Sequence, residues 1–311
     1  MKKIAFLFPG QGAQYFGMGK ELYENFDEAR DVFDKADASL PFKMTQLCFN
    51  GENEELNQTK YTQPAILTTS IATYMILKHY NINPSFFAGL SLGEYSALVA
   101  SEMLDLETAV KLVFNRGSFM EEAVPKGKGS MAAIIGLDNS KVEQICKEAS
   151  IKGVVEPANY NYNGQIVIGG ETSALDYACT LFEKNGAKRV VKLNVSGPFH
   201  TSLLKLASEN LSEYLKKIQL NSWKIPIISN VTGKPYDNLS SVNNLLVNQV
   251  VSPVQWESSV KYMLNQGITH FIEVGPGKVL SGFVRRIDRK TKVLNVENIK
   301  SLENTLKILG G

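Results

Sequence analysis

Residues 88–100 read AGLSLGEYSALVA, a stretch whose glycines set the fold and whose Ser91 sets the question of function. An apolar lead-in ends at Gly89, the serine follows two residues later, Gly93 closes the turn, and a helix-like run comes after it. G-x-S-x-G between a strand and a helix is the pattern of a nucleophile elbow: small flanking residues permit a sharp turn that exposes the hydroxyl, and the helix aims its first amides at developing negative charge. The competing reading is a glycine-rich strand-to-helix turn in which Ser91 is an ordinary capping residue. Both readings require a strand over 85–88 feeding a helix, and so an α/β protein.

The flanking sequence extends that pattern. KIAFLF (3–8) predicts a first strand, ending in PGQG. Leu22, Phe26, Ala29, Val32 and Phe33 repeat at helical spacing and predict one helix over 20–37. Residues 40–60 read as irregular. Residues 64–79 carry few charges and predict a buried helix with Pro64 at its start. Asp105 is the expected cap of a helix over 105–122. Beyond the Gly/Lys-rich crossing VPKGKGS (124–130), the order becomes β-α-β-β-α-β, a split βαβ pattern. From about 196 onward, helices and strands alternate again: IPIISN and THFIEV as strands, with helices around 201–218, 242–253, 256–267 and the tail. The expected architecture is a hydrolase-like parallel-sheet core with helices on both faces, built from 1–127 and 196–311. A small ferredoxin-like (βαββαβ) domain, residues 128–195, is inserted into it.

Bulk composition narrows the function classes. The 311 residues are 44% hydrophobic and 21% charged with a net charge of +2, the composition of a globular protein with no general affinity for nucleic acid. Cys48, Cys146 and Cys179 are widely spaced and predict neither a disulfide framework nor a CxxC site. The two lysines and apolar run at the N-terminus stop at Pro9, too early for a signal peptide. No stretch is long and apolar enough for a transmembrane helix, and the expected location is cytoplasmic.

A serine nucleophile needs a base, and the sequence has three histidines. His79 closes a helix, where electrostatics alone suit it. His270 begins a strand. His200, in NVSGPFHTSLL, stands at a strand-to-helix corner and is the favoured base. No acid stands where a triad would want one: Asp138, Glu156 and Asp176 all fall in the inserted segment, so a carbonyl oxygen is the expected partner of the imidazole. Arg116 lies on the apolar stripe of Ala109, Val113 and Met120. Periodicity leaves it two roles, a structural ion pair or the fork that grips a substrate carboxylate. FPGQGAQYFGMG fails as a dinucleotide loop because its third glycine comes too late, and it reads instead as a loop able to lend an amide to an oxyanion hole. No metal-ligand spacing is present. RRIDRKTK (285–292) reads as a solvated charged segment.

Taken together, FPGQGAQ, GLSLGEYSALV, NRGSFMEEAVPKGKGSMAAIIGL, SGPFH, SPVQW and EVGPGKVLSGFVRRI resemble the malonyl-CoA:acyl-carrier-protein transacylases, from about residue 2 to 290. The resemblance implies a ping-pong transfer with no bound cofactor. Ser91 takes malonyl from malonyl-CoA and passes it to the phosphopantetheine thiol of holo acyl carrier protein, with His200 as base and acid. It implies that the backbone carbonyl of Gln249 orients His200, that the backbone amides of Gln11 and Leu92 form the oxyanion hole, and that Arg116 grips the malonyl carboxylate. Asn159 falls at a position near the site, and Phe199 at one associated with malonyl over branched units. Many members have histidine before the serine; here it is Leu90, which is expected to pack against the elbow. The implied protein is a free-standing monomeric enzyme supplying malonyl units for fatty-acid synthesis, with neither nucleic acid nor membrane as partner. Two alternatives stand beside it: a serine hydrolase acting on a thioester or lipid ester, and a non-catalytic protein that docks a carrier protein.

Overall fold

The computed structural model describes residues 2–50, 54–125, 127–195 and 197–310. The ends of the expected domains at residues 1, 196 and 311, Lys126 of the crossing segment and Ser196 of SGPFH lie outside the described residues.

The first stretch runs β1 (Ile4–Phe8), α1 (Lys20–Asn25), α2 (Asp27–Ser39), α3 (Met44–Phe49), α4 (Thr59–His79), β2 (Phe86–Gly89), α5 (Leu92–Ala100) and α6 (Leu106–Ala123). The middle runs β3 (Gly129–Ile135), α7 (Asn139–Ala149), β4 (Val155–Tyr162), β5 (Gln165–Glu171), α8 (Thr172–Lys184) and β6 (Arg189–Lys192). The last stretch holds α9 (Lys205–Leu215), β7 (Ile227–Ile228), α10 (Leu239–Val251), α11 (Trp256–Asn265), β8 (His270–Val274), α12 (Val279–Ile287), β9 (Lys292–Val296) and α13 (Ile299–Leu309).

Five of the strands form one parallel sheet in the order β7-β2-β1-β8-β9. Its central strand shows why both faces are covered. Ile4, Phe6 and Phe8 of β1 point into one apolar cluster with Ile66, Leu98 and Val113, while Ala5 and Leu7 point into another with Trp256, Val260 and Leu280. A strand buried on both faces has no polar alternation, which is why KIAFLF reads as a continuous apolar run. The second sheet has the order β4-β5-β3-β6 with antiparallel pairings, and α7 and α8 pack on it around Ile134, Val142, Ile168 and Phe182. The protein is thus α/β, with helices on both faces of the parallel sheet.

Several sequence expectations need correction. The helix over 20–37 is two helices, because Phe26 is extended (φ −131°, ψ 126°) and ends one as it starts the other. The irregular 40–60 segment contains α3 and a 3-10 turn over Glu54–Asn57. Pro64 is not at a helix start. Helix α4 begins five residues earlier, where its first turn packs against α6: a Cβ on Gly117 would lie 2.6 Å from the Cα of Lys60, and Glu121 accepts from the Thr59 amide at 2.6 Å. The charged run 285–292 is solvated as expected, its Arg285, Arg286, Arg289, Lys290 and Lys292 all exposed, while α12, in whose last turn Arg285 and Arg286 stand, is a helix the sequence reading did not anticipate. Asp105 does cap α6, accepting from the Thr108 amide. Among the described residues, no helix is long and apolar enough to cross a membrane.

Candidate active site

The parallel sheet delivers Ser91 to its C-terminal edge, between β2 and α5. Both elbow glycines are required by close approach. A Cβ on Gly89 would sit 1.9 Å from the carbonyl carbon of Gly93, and one on Gly93 would sit 2.0 Å from the carbonyl oxygen of Phe8. Ser91 itself holds φ 52°, a left-handed backbone that a non-glycine residue adopts only under outside constraint. Asn230 supplies that constraint. Its Oδ1 accepts from the Ser91 amide at 2.6 Å, and its Nδ2 donates to the Gly89 carbonyl at 2.6 Å.

His200 is likewise left-handed, at φ 61°, in the turn after Phe199. Its Nε2 lies 2.7 Å from Ser91 Oγ, and its Nδ1 lies 2.7 Å from the Gln249 carbonyl oxygen. A carbonyl can only accept, so Nδ1 carries the proton and Nε2 is left as the acceptor for the serine hydroxyl. Burial, aided by the nearby charge of Arg116, lowers the histidine pKa to about 4, so the imidazole is neutral at neutral pH and able to take a proton.

The three acids considered from sequence do other work. Asp138 caps α7, Asp176 pairs with Lys192, and Glu156 accepts from the Ser202 amide and hydroxyl, pinning the chain just beyond His200. His79 contacts Glu28, and His270 sits beside Thr269.

Arg116 is 1% exposed. Its guanidinium donates to Gln63 Oε1 at 2.8 Å, to Gln249 Oε1 at 2.9 Å and to Ser91 Oγ at 3.3 Å, and it lies 5.1 Å from the centroid of the Tyr95 ring. Its Nε has no partner, and among the described residues it forms no ion pair. A buried cation served only by neutral acceptors retains strong affinity for an anion, because the cost of taking the charge out of water has not been repaid by an opposite charge in contact.

These groups open on a cleft of about 370 Å³ between the two sheets, lined on the parallel-sheet side by Gln11, Leu92 and Arg116 and on the other by Met131, Asn159, Asn161 and Val167. Among the described residues, the amides of Gln11 and Leu92 have no hydrogen-bond partner, whereas the neighbouring Ser91, Gly93 and Glu94 amides are all engaged. Phe199 also lines the cleft, as do Val279, Leu280 and Phe283 from α12. Leu90 lines it too and packs against the apolar cluster of Trp256. No group of three or more metal-ligating side chains exists among the described residues, and all three cysteines are free and buried.

The structure therefore brings together Ser91, His200, Gln249, Gln11, Leu92, Arg116, Asn159 and Phe199. It adds Asn230, Gln63, Asn161 and Glu94, which sequence reasoning missed. Glu94 is the one charged residue in the apolar run 88–100, and a charge in such a setting signals a buried partner. Gln63 gives the same signal at the head of a charge-poor helix. Asn230 gave none.

The chain matches the acyl transferase domain family over residues 5–303. It is 46% identical over 310 residues, 99% of this chain and 98% of the relative, to malonyl CoA-acyl carrier protein transacylase of Bacillus subtilis (strain 168). The crystal structure of malonyl CoA-acyl carrier protein transacylase from Clostridium perfringens superposes with a TM-score of 0.97 at 46% identity, over 99% of this chain and 97% of that one. A malonyl-transacylase solved in complex with its type II PKS acyl-carrier protein superposes at 0.96 with 38% identity, over 99% and 100% of the two chains. The chain belongs to the acyl transferase domain family and, within it, to the malonyl-CoA:acyl-carrier-protein transacylases.

Proposed function

We propose that this chain is an acyl-carrier-protein S-malonyltransferase that works through a malonyl-serine intermediate and supplies malonyl units for fatty-acid synthesis. His200 Nε2 takes the Ser91 proton as Oγ attacks the thioester carbonyl of malonyl-CoA. The amides of Gln11 and Leu92 receive the oxyanion. The C–S bond then breaks, and His200 returns the proton to the coenzyme A sulfur. In the second half His200 takes the proton of the phosphopantetheine thiol, the thiolate attacks the ester carbonyl, and Ser91 Oγ leaves with that proton. Gln249, through its main-chain oxygen, keeps the imidazole in the required tautomer throughout both halves. Thioester is exchanged for thioester, so neither ATP nor a cofactor is needed.

The observation that carries this reading is Arg116. A buried guanidinium without an ion pair among the described residues, 3.3 Å from the nucleophile, suits an acyl group ending in a carboxylate one methylene beyond the reacting carbonyl. Asn159 and Phe199 form the wall against which that acyl group packs. We assign the elbow, the base, the arginine and Phe199 to a large unit, 1–127 with 196–311, and Asn159 to a small one, 128–195. The carrier-protein complex of a 38% identical relative supports the choice of acceptor.

Intact-mass measurement tests the reading. Wild-type protein mixed with malonyl-CoA should gain one malonyl adduct, Ser91→Ala should gain none, and holo acyl carrier protein should remove the adduct and become malonylated. Free malonate as the main product would make the chain a hydrolase, and no adduct on wild-type protein would leave it a docking protein.

A further inference from the structure

The steps above leave unused a buried ionisable group beside the elbow. Glu94, in the first turn of α5, is 1% exposed and does not line the cleft. Its Oε2 accepts from Gln249 Nε2 at 2.6 Å and from the Asn230 amide at 3.1 Å, and its Oε1 accepts from the Tyr236 hydroxyl. Gln249 stands between Glu94 and Arg116: its Nε2 also donates to the Ser91 carbonyl at 3.0 Å, and its Oε1 accepts from Arg116 at 2.9 Å. Gln249 thus has two separable duties, its main-chain oxygen on the base and its side-chain amide on the arginine.

Resting on the transfer reading above, we propose that Glu94 is a positioning residue for acyl selection: by anchoring the Gln249 side-chain amide it holds Arg116 where the acyl carboxylate must bind. The chemistry of the partners is directional. Arg116 can only donate, and Glu94 Oε2 accepts from the Asn230 backbone amide, so the glutamine amide between them has its oxygen toward the arginine and its nitrogen toward the acid. A short bond in a buried site fixes the long glutamine side chain far better than the 3.0 Å bond to the Ser91 carbonyl alone. The His200 contact is spared, because it goes to the main chain of α10 and not to the amide. Loss of Glu94 therefore disturbs the arginine more than the base, and affects acidic acyl groups more than neutral ones.

The experiment compares loading by malonyl-CoA and by acetyl-CoA, per folded molecule, in Glu94→Ala, Glu94→Gln and Gln249→Met. Glu94→Ala should lower malonyl loading about tenfold more than acetyl loading, chiefly through KM for malonyl-CoA. Glu94→Gln, whose oxygen can still accept from Gln249 while its nitrogen meets Tyr236, should restore the ratio to within about twofold of wild type. Gln249→Met removes the amide but keeps the main-chain carbonyl, and should reproduce the selective loss. The double variant should be no more than about twofold worse than the poorer single one, because both cut the same link. An unchanged malonyl-to-acetyl ratio in either Glu94→Ala or Gln249→Met, independent multiplication of the two losses, or Glu94→Gln no better than Glu94→Ala would overturn the proposal. If Glu94→Ala does not fold, Gln249→Met decides alone. Wild-type protein that never loads malonyl would instead overturn the transfer reading.

Discussion

The reacting end of the site and the selecting end are held in different ways. Ser91 and His200 both sit on left-handed backbone and meet at 2.7 Å, and the histidine is oriented by a main-chain oxygen. Arg116 sits on an ordinary helix and is held by two side-chain amides, those of Gln63 and Gln249. Main-chain groups move only when the fold moves, so the proton-transfer geometry is built into the sheet edge and the turn after Phe199. Side-chain amides can be exchanged one substitution at a time. The chemistry is thus fixed by topology, and the preference for an acyl group is set by a few replaceable residues.

The largest test of that contrast, after loss of the nucleophile itself, is Arg116→Ala. It removes the sole guanidinium of the cleft and leaves the serine, the histidine and the oxyanion amides in place. Malonyl loading should fall on the order of 10²- to 10³-fold, since a buried carboxylate would be left unpaired. Acetyl loading should change much less. Equal losses, measured by single-turnover acylation, would make the arginine a structural element and erase the distinction between the two ends.

A smaller effect is expected at Asn230, on the reacting side. Its amide closes the elbow at both Ser91 and Gly89, so that a side chain braces strained backbone there. Asn230→Ala gives up two hydrogen bonds and frees a conformation that Ser91 adopts only under constraint, a destabilisation of about 2–3 kcal/mol. Malonyl and acetyl loading should fall together, about tenfold or more, with a matching drop in Tm. A loss confined to malonyl would show that the two ends are not separately held.

The same contrast explains what was legible in the sequence. The parallel-sheet core was readable because doubly buried strands such as Ile4–Phe8 write themselves as unbroken apolar runs, and the antiparallel insert because its elements are short, periodic and punctuated by glycine. Helix ends were less so: the break at Phe26 leaves the apolar spacing intact, and the start of α4 at Thr59 is set by contact with Gly117, far along the chain. At the site, Ser91 is announced by local glycines that the elbow requires sterically. The parts that hold it are not local. Asn230 meets Ser91 across 139 positions and Gln249 meets Arg116 across 133, and no periodicity encodes such a pairing. The main-chain acceptor at Gln249 was reached only through family resemblance, because any residue type can offer a carbonyl.

The smallest expected change is in the pH profile, and it isolates the base from the selector. Burial first, then the positive charge of Arg116, depresses the His200 pKa to about 4. The working form is the neutral imidazole, so activity is retained above that value and lost as pH falls through it. Acetyl loading is the cleaner probe, because it does not need the arginine to bind an acyl carboxylate. Single-turnover acetylation should be nearly flat from pH 8 to about 5 and decline toward pH 4. In Arg116→Ala one of the two depressing influences is gone, so the decline should begin at higher pH. A wild-type midpoint near the ordinary histidine value of about 6.5 would mean that the imidazole is far better solvated during turnover than its burial implies. The base could not then be treated as a group the fold alone keeps neutral.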